Sequence, residues 1–212
     1  TTAGADDDAG AVAPLTLTGR FVELVPLSID HVDELAAAAA EDRATYGWTI
    51  VPDGADAMAR SIDALLADAA AGAIVPFAQR RVADGRAVGC TRFLELRWPL
   101  GRADPDEVEI GGTWLAASAQ RTPINTEAKR LLLAHAFETW GVGRVAIATD
   151  ERNARSRAAI ERLGAHLDGV LRHHRPRMAP GETGLRNTAI YSITDAEWPA
   201  VRATLDARLA RP

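Results

Sequence analysis

Three groups of residues in the second half of the chain have the types and spacing for chemistry. The first is Glu109 in the run VEIGGTWL, a carboxylate flanked by Val108 and Ile110. On an alternating strand it takes the face opposite those two side chains, mid-strand, where a solvated carboxylate is unusual. A partly buried carboxylate has its proton affinity raised, which suits it to accept a proton from an ammonium group directly or through water. The plainer alternative is a cross-strand ion pair with one of the many arginines. The second group is the loop Gln120, Arg121, Thr122, Pro123, Ile124, Asn125, Thr126. Pro123 suits a first helical position with Thr122 as the cap before it. The loop therefore ends where unpaired N–H groups and the positive end of a helix dipole face outward, which makes an anion site. Proline removes one of those N–H groups. Arg121 can replace it with a forked, charged donor, and Asn125 and Thr126 add side-chain donors. The third group is Asn153, a good helix cap, with Ser156 at the third position of a helix that Gly164 ends.

These residues need a frame, and the stretch from Glu107 to Arg172 provides one. It reads as strand (EVEIGGTWLAA), polar loop, helix from Pro123, strand (RVAIAT), helix (NARSRAAIERLGA) and strand (HLDGVLR), a βαβαβ unit. Gly111 and Gly112 weaken a strand interior, so they predict a bulge or a close backbone approach. Upstream, TLTGRFVELVPL predicts a first strand, Ser28 caps a helix over IDHVDELAAAAAEDRA, and a second helix runs near Ala55 to Ala70. Strands IVPFAQRRV and RAVGCTRFLEL are joined by a turn at Ala83, Asp84 and Gly85. Downstream, PRMAPGETG is an excursion, NTAIYSIT a strand, and DAEWPAVRATLDARLAR an amphipathic helix.

With 212 residues, the chain is expected to form one domain over 15–212 behind a disordered Ala/Gly/Asp tail at 1–14. A net charge of −5 without a basic stripe argues against a protein that coats nucleic acid. The single cysteine, Cys90, lies in a strand and is expected as a small buried residue in a reducing compartment. The acidic N-terminus and the lack of a long apolar run predict a cytoplasmic protein. Only Lys129 among the 24 basic residues is a lysine, and alanine abounds, a bias typical of a GC-rich bacterial coding sequence.

Three patterns are set aside. Gly141, Gly143 and Ala146 spell a dinucleotide fingerprint but precede a strand rather than follow one. His173 and His174 point to opposite faces of a strand, with no further ligand at metal spacing. There is no G-x-S-x-G elbow.

The order of elements, the GTWL strand, the QRTPIN loop, the NARSRAAIERLGA helix and the EWPAVRATL helix together resemble the GNAT superfamily of acyl-CoA N-acyltransferases. The likeness spans roughly residues 15 to 210 and is greatest to its RimJ/RimL-like branch. It implies a mixed α+β fold whose central sheet is twisted, mostly antiparallel and splayed between its fourth and fifth strands. It implies acetyl-CoA as cofactor, with the pyrophosphate around Gln120, Arg121, Thr122, Ile124, Asn125 and Thr126. Pro123 and Asn125 depart from the family, which has glycine, and glycine or alanine, there. Trp114 and Leu115 would line the pantetheine channel, with Asn153 and Arg157 as further cofactor contacts. Ser156 becomes the candidate general acid, with Tyr191 the next donor, and Glu109 matches a carboxylate of the same strand. Tyr46 and Trp48, with the PRMAPGETG excursion, would shape the acceptor site. The acceptor would be a protein N-terminus or a small amine, no metal is needed, and a homodimer is compatible. The alternatives are an acyl carrier such as aminoacyl-tRNA, or an acyl-CoA-binding module without turnover.

Overall fold

The computed structural model describes residues 14–211. The expected tail at 1–14 lies, but for Pro14, outside the described residues. An eight-stranded sheet runs in the order β1-β2-β3-β4-β5-β6-β8-β7. Its strands are β1 (Leu17–Thr18), β2 (Val22–Pro26), β3 (Ile74–Arg81), β4 (Ala87–Arg97), β5 (Glu107–Leu115), β6 (Arg144–Asp150), β7 (His166–Pro176) and β8 (Leu185–Thr194). Every neighbouring pair is antiparallel except β5 with β6. Among the described residues five α-helices flank the sheet: α1 (Val32–Ala40), α2 (Ala55–Ala70), α3 (Pro123–Ala134), α4 (Ala154–Glu161) and α5 (Trp198–Leu209).

Three local features depart from the sequence reading. The first expected strand is broken into β1 and β2. Glu127 of α3 reaches across and accepts hydrogen bonds from the N–H groups of Arg20, Phe21 and Val22 at 2.6 to 2.9 Å, so those amides leave the ladder. The first helix begins as a 3₁₀ turn capped by Ser28 and ends at Ala40, because Asp42 caps a separate turn over Arg43–Tyr46. β7 continues past Arg172 to Pro176 through an irregularity between Leu171 and Arg175, where His173 adopts a φ of +47°.

The core has two layers. α1 and α2 lie against β4 and β3, while α3 and α5 pack together on the other face of the sheet. Phe77 and Phe93 sit under the π-helical turn His135–Trp140 that extends α3, and Phe93 contacts both His135 and Trp140. Gly141 ends that turn at a φ of +63° and leads into β6, so its run precedes a strand, as the sequence indicated. Cys90 is buried, and burial pushes its thiol up to about 12. Among the described residues no helix is long and apolar enough to cross a membrane.

Candidate active site

The site is organised by β5. Its parallel pairing with β6 covers only Glu107, Val108 and Glu109 against Arg144, Val145 and Ala146. Beyond Glu109 the two strands part and leave a wedge open toward their C-terminal ends. The bulge on the other edge of β5 accompanies this divergence. Cys90 pairs with Trp114 and Arg92 with Gly111, so Gly112 and Thr113 together oppose the single residue Thr91. Gly112 has a φ of +57°, and a Cβ there would lie 2.5 Å from the Arg92 guanidinium carbon, so any other residue would be strained and would have to displace that side chain. The bulge expected from Gly111 and Gly112 is present.

The end of β5 is tied to the segment between α1 and α2. Tyr46 packs edge-on against Trp114, and its hydroxyl donates to the Leu115 carbonyl at 3.3 Å. Burial, with Glu41 nearby, raises the Tyr46 phenol above its usual range. Glu41 accepts from both the N–H and the hydroxyl of Ser118. The segment expected to shape the acceptor site is thus fastened to the segment expected to hold the cofactor.

The loop from Gln120 to Thr126 opens α3 as expected. Thr122 is the N-cap, accepting from the Ile124 N–H, and Pro123 follows in the first turn. Arg121 is exposed and held at a φ of +61°, a left-handed conformation that costs a non-glycine residue about 1 kcal/mol or more and gathers at functional sites. Ile124 turns its side chain into the core, while Asn125 and Thr126 stay half-buried in the first turn. Gln120 is a bridge: its Nε2 donates to Thr45 and to the Leu115 carbonyl, and its Oε1 accepts from Arg155 Nη2 at 2.7 Å.

Across the wedge, Asn153 caps α4, its Oδ1 accepting from the Ser156 N–H at 3.0 Å. Arg157 points back to the sheet, donating to the Tyr191 hydroxyl at 2.9 Å and toward the Glu151 carbonyl. Tyr191 is fully buried and donates in turn to Glu161. Arg155 therefore reaches the open end of the wedge, and Arg157 does not. Sequence reasoning missed Arg155, which lies outside the family motif and two positions from Arg157.

At the closed end, Glu109 is 5% exposed, and both of its oxygens accept from Arg175 at 2.8 Å. Arg175 also approaches Glu95 at 3.4 Å. Glu109, Arg175, Glu95 and His174 help line a cavity of about 210 Å3 beside the β5–β6 junction. The carboxylate thus forms an ion pair with an arginine, the plainer of the two alternatives that its position in the sequence raised, and it also stands at a cavity wall.

The two expected acceptor segments also meet. The Arg152 guanidinium lies 4.8 Å from the centre of the Trp48 ring and pairs with Asp150 at 2.9 Å and Glu182 at 2.7 Å. Arg177 holds Glu182 as well, and these two arginines, Arg152 first, bring the Glu182 carboxyl down to about 2. Arg152 and Glu182 carried no motif that could have marked them.

A family model described as an acetyltransferase (GNAT) domain matches residues 22–166. The crystal structure of a GCN5-related N-acetyltransferase from Brucella melitensis is 29% identical, with 94% of this chain and 87% of that one covered and a TM-score of 0.79. Mycobacterium smegmatis RimJ, solved in complex with CoA-disulfide, is similar in fold at 21% identity, covering 92% and 95% of the two chains, with a TM-score of 0.75. So is the Microcin C7 self immunity acetyltransferase MccE, solved with acetyl-CoA and AMP, at 18% identity, 83% and 93% coverage and a TM-score of 0.69. No curated protein matches the sequence. The matched span runs from β2 to the first residue of β7 and takes in the bulge, the wedge, α4 and the loop that opens α3, and the chain belongs to the GNAT acetyltransferases.

Proposed function

We propose that this chain moves the acetyl group of acetyl-CoA to a primary amine by direct attack in a complex that holds both. The wedge carries this reading: parallel strands that part at Glu109, with an anion loop at the open end and a carboxylate at the closed end. Bound there, acetyl-CoA would supply an activated acyl group whose thioester carbonyl is open to an amine. The donor set fits a polyanion. Arg121 and Arg155 form no ion pair among the described residues, and both stand beside the N-terminus of α3. Asn153 Nδ2 and the unpaired edge of β5 would meet the amides of the pantetheine arm.

Glu109 would take the proton of the amine, directly or through a water in the cavity. Each carboxylate oxygen keeps a second lone pair while Arg175 fixes the group in place. Backbone N–H groups of the bulged segment would donate to the carbonyl oxygen as it gains charge. Ser156 Oγ, at the foot of α4, would return a proton to the leaving sulfur. Trp48, Arg152 and the loop at 177–184 would frame the acceptor, a protein N-terminus or a small amine.

The test is calorimetric titration with acetyl-CoA and with NADH, then thioester cleavage across a panel of amines and peptides. Binding of acetyl-CoA alone, with amine-dependent release of coenzyme A, is the expected result. Binding without release by any amine would reduce the chain to an acyl-CoA-binding module.

A further inference from the structure

Under the bulge of β5 runs a chain of buried polar side chains that the mechanism above does not use. Lys129 of α3 is 6% exposed, and its Nζ donates to Thr113 Oγ1 at 2.7 Å. Thr113 Oγ1 lies 2.8 Å from Thr91 Oγ1 on β4, across the point where two residues of β5 face one of β4. Because Thr113 accepts from the lysine, its own proton is free to go to Thr91. Beside them Gln79 of β3 donates to the carbonyls of both Cys90 and Trp114, the register pair that adjoins the bulge on one side. Lys129, Thr113, Thr91 and Gln79 thus replace, with side chains, the order that the regular ladder loses there.

The choice of lysine is informative. The chain has 24 cationic side chains and Lys129 alone is not arginine. No carboxylate pairs with it among the described residues, and burial pushes its amine down to about 7. An arginine would keep its charge in this apolar setting, whereas a lysine can shed it and still donate a hydrogen bond. A methionine would fill the same volume without desolvating an amine. Packing alone does not call for a lysine here, but holding the Thr113 hydroxyl does.

We propose that Lys129 is a positioning residue for acyl transfer: through Thr113 and Thr91 it fixes the β5 bulge, and with it the backbone N–H groups and the strand edge that face the thioester. The inference rests on the acetyl-transfer reading for its kinetic consequence but not for its structural one. Without the amine, the Thr113 side chain is free to turn and the bulge to migrate along β5, which narrows or misaligns the wedge. A misplacement of about 1 Å in such a site costs up to about 100-fold in rate.

The experiment compares the parent with Lys129→Met, Thr113→Val and Thr113→Ser by thermal melting, by amide hydrogen exchange and by steady-state kinetics with acetyl-CoA. Lys129→Met is expected to melt at or above the parent temperature, since a buried amine is gone. Its amides from Gly111 to Ala116 should exchange up to about tenfold faster, the equivalent of one lost hydrogen bond. Its kcat should fall more than its KM for acetyl-CoA rises. Thr113→Val should reproduce the exchange and kinetic changes, and Thr113→Ser, which keeps the hydroxyl, should restore them. Unchanged exchange over Gly111–Ala116 in a folded Lys129→Met overturns the proposal. So does a Thr113→Val variant with parental exchange, should Lys129→Met fail to fold. A parent that exchanges as expected but never turns over acetyl-CoA would sink the functional reading and leave the brace standing.

Discussion

Arg155, in the first turn of α4, donates from Nη2 to Gln120 Oε1 at 2.7 Å, and this hydrogen bond joins the two lips of the wedge at its open end. Gln120 is anchored from behind by Thr45 and the Leu115 carbonyl, so the tie has one fixed end and one end on a flexible side chain. On the proposed reading a coenzyme arm lying between β5 and β6 would have to pass this tie, and the guanidinium it displaces would then stand beside the proposed seat of the phosphates. Arg155→Ala and Arg121→Ala are each expected to weaken acetyl-CoA binding by about 1 to 3 kcal/mol, the scale of a charge-assisted contact. Titration calorimetry reads this directly. Parent-like affinity in Arg155→Ala would confine that residue to bracing Gln120.

Glu109→Gln keeps the shape of the side chain and one acceptor oxygen but removes the proposed base. The expected result is a loss of kcat/KM, about 10² to 10⁴ at neutral pH. The loss should shrink as the medium becomes alkaline enough to deprotonate the acceptor amine unaided. A pH profile of parent and variant with one amine checks it. A loss of equal size at every pH, together with a lowered melting temperature, would show that Glu109 serves only to anchor Arg175.

The parts of this site that rest on local signals were legible in the sequence. Thr122 and Pro123 start a helix by their own chemistry, Asn153 caps another that ends at Glu161, short of Gly164, and Gly112 announces a bulge because glycine takes a left-handed backbone without strain. What escaped depends on partners far along the chain. Glu127 breaks the first strand from more than 100 positions away, and Arg175 reaches Glu109 over a separation of 66. Nothing local marks Arg152 as the residue that joins Trp48 to Glu182. The brace under β5 was hidden for another reason. Gln79, Thr91 and Lys129 are polar residues at buried positions, where hydrophobic periodicity assigns apolar side chains.

The buried amine of Lys129 also sets a proton linkage. In the unfolded chain a lysine titrates near about 10.4, whereas in the fold burial brings Lys129 down to about 7. Between those values the unfolded state holds a proton that the native state does not, so stability rises with pH across that window. Above it the penalty is gone, and below about 7 it is fully present. The stability difference between parent and Lys129→Met should therefore change in the parent's favour by up to about 1.4 kcal/mol per pH unit from pH 7.5 upward. Denaturant melts of both proteins at pH 7.5, 8.5 and 9.5 measure it, and parallel curves would show that the amine is hydrated rather than buried.

Ser156 and Tyr191, the two candidate donors for the leaving sulfur, stand in different surroundings, and that difference makes them separable. The Ser156 N–H is capped by Asn153, but its hydroxyl has no partner among the described residues, so Ser156→Ala keeps the cap of α4 and removes only a proton donor. The Tyr191 hydroxyl is buried between Arg157 and Glu161 and accepts from one while donating to the other. Tyr191→Phe removes both hydrogen bonds, but Glu161 is exposed and Arg157 half-buried, so water takes up the partners and the cost is that of ordinary hydrogen bonds, about 0.5 to 1.5 kcal/mol each. The expected outcome is a division: Ser156→Ala lowers kcat with parental acetyl-CoA affinity and melting temperature, whereas Tyr191→Phe lowers the melting temperature and leaves kcat nearly intact. Kinetics and calorimetric melts on the two variants decide the matter. A Ser156→Ala variant that loses affinity in proportion to rate would make Ser156 a binding residue, and a Tyr191→Phe variant with parental stability but poor turnover would transfer the acid role to the phenol.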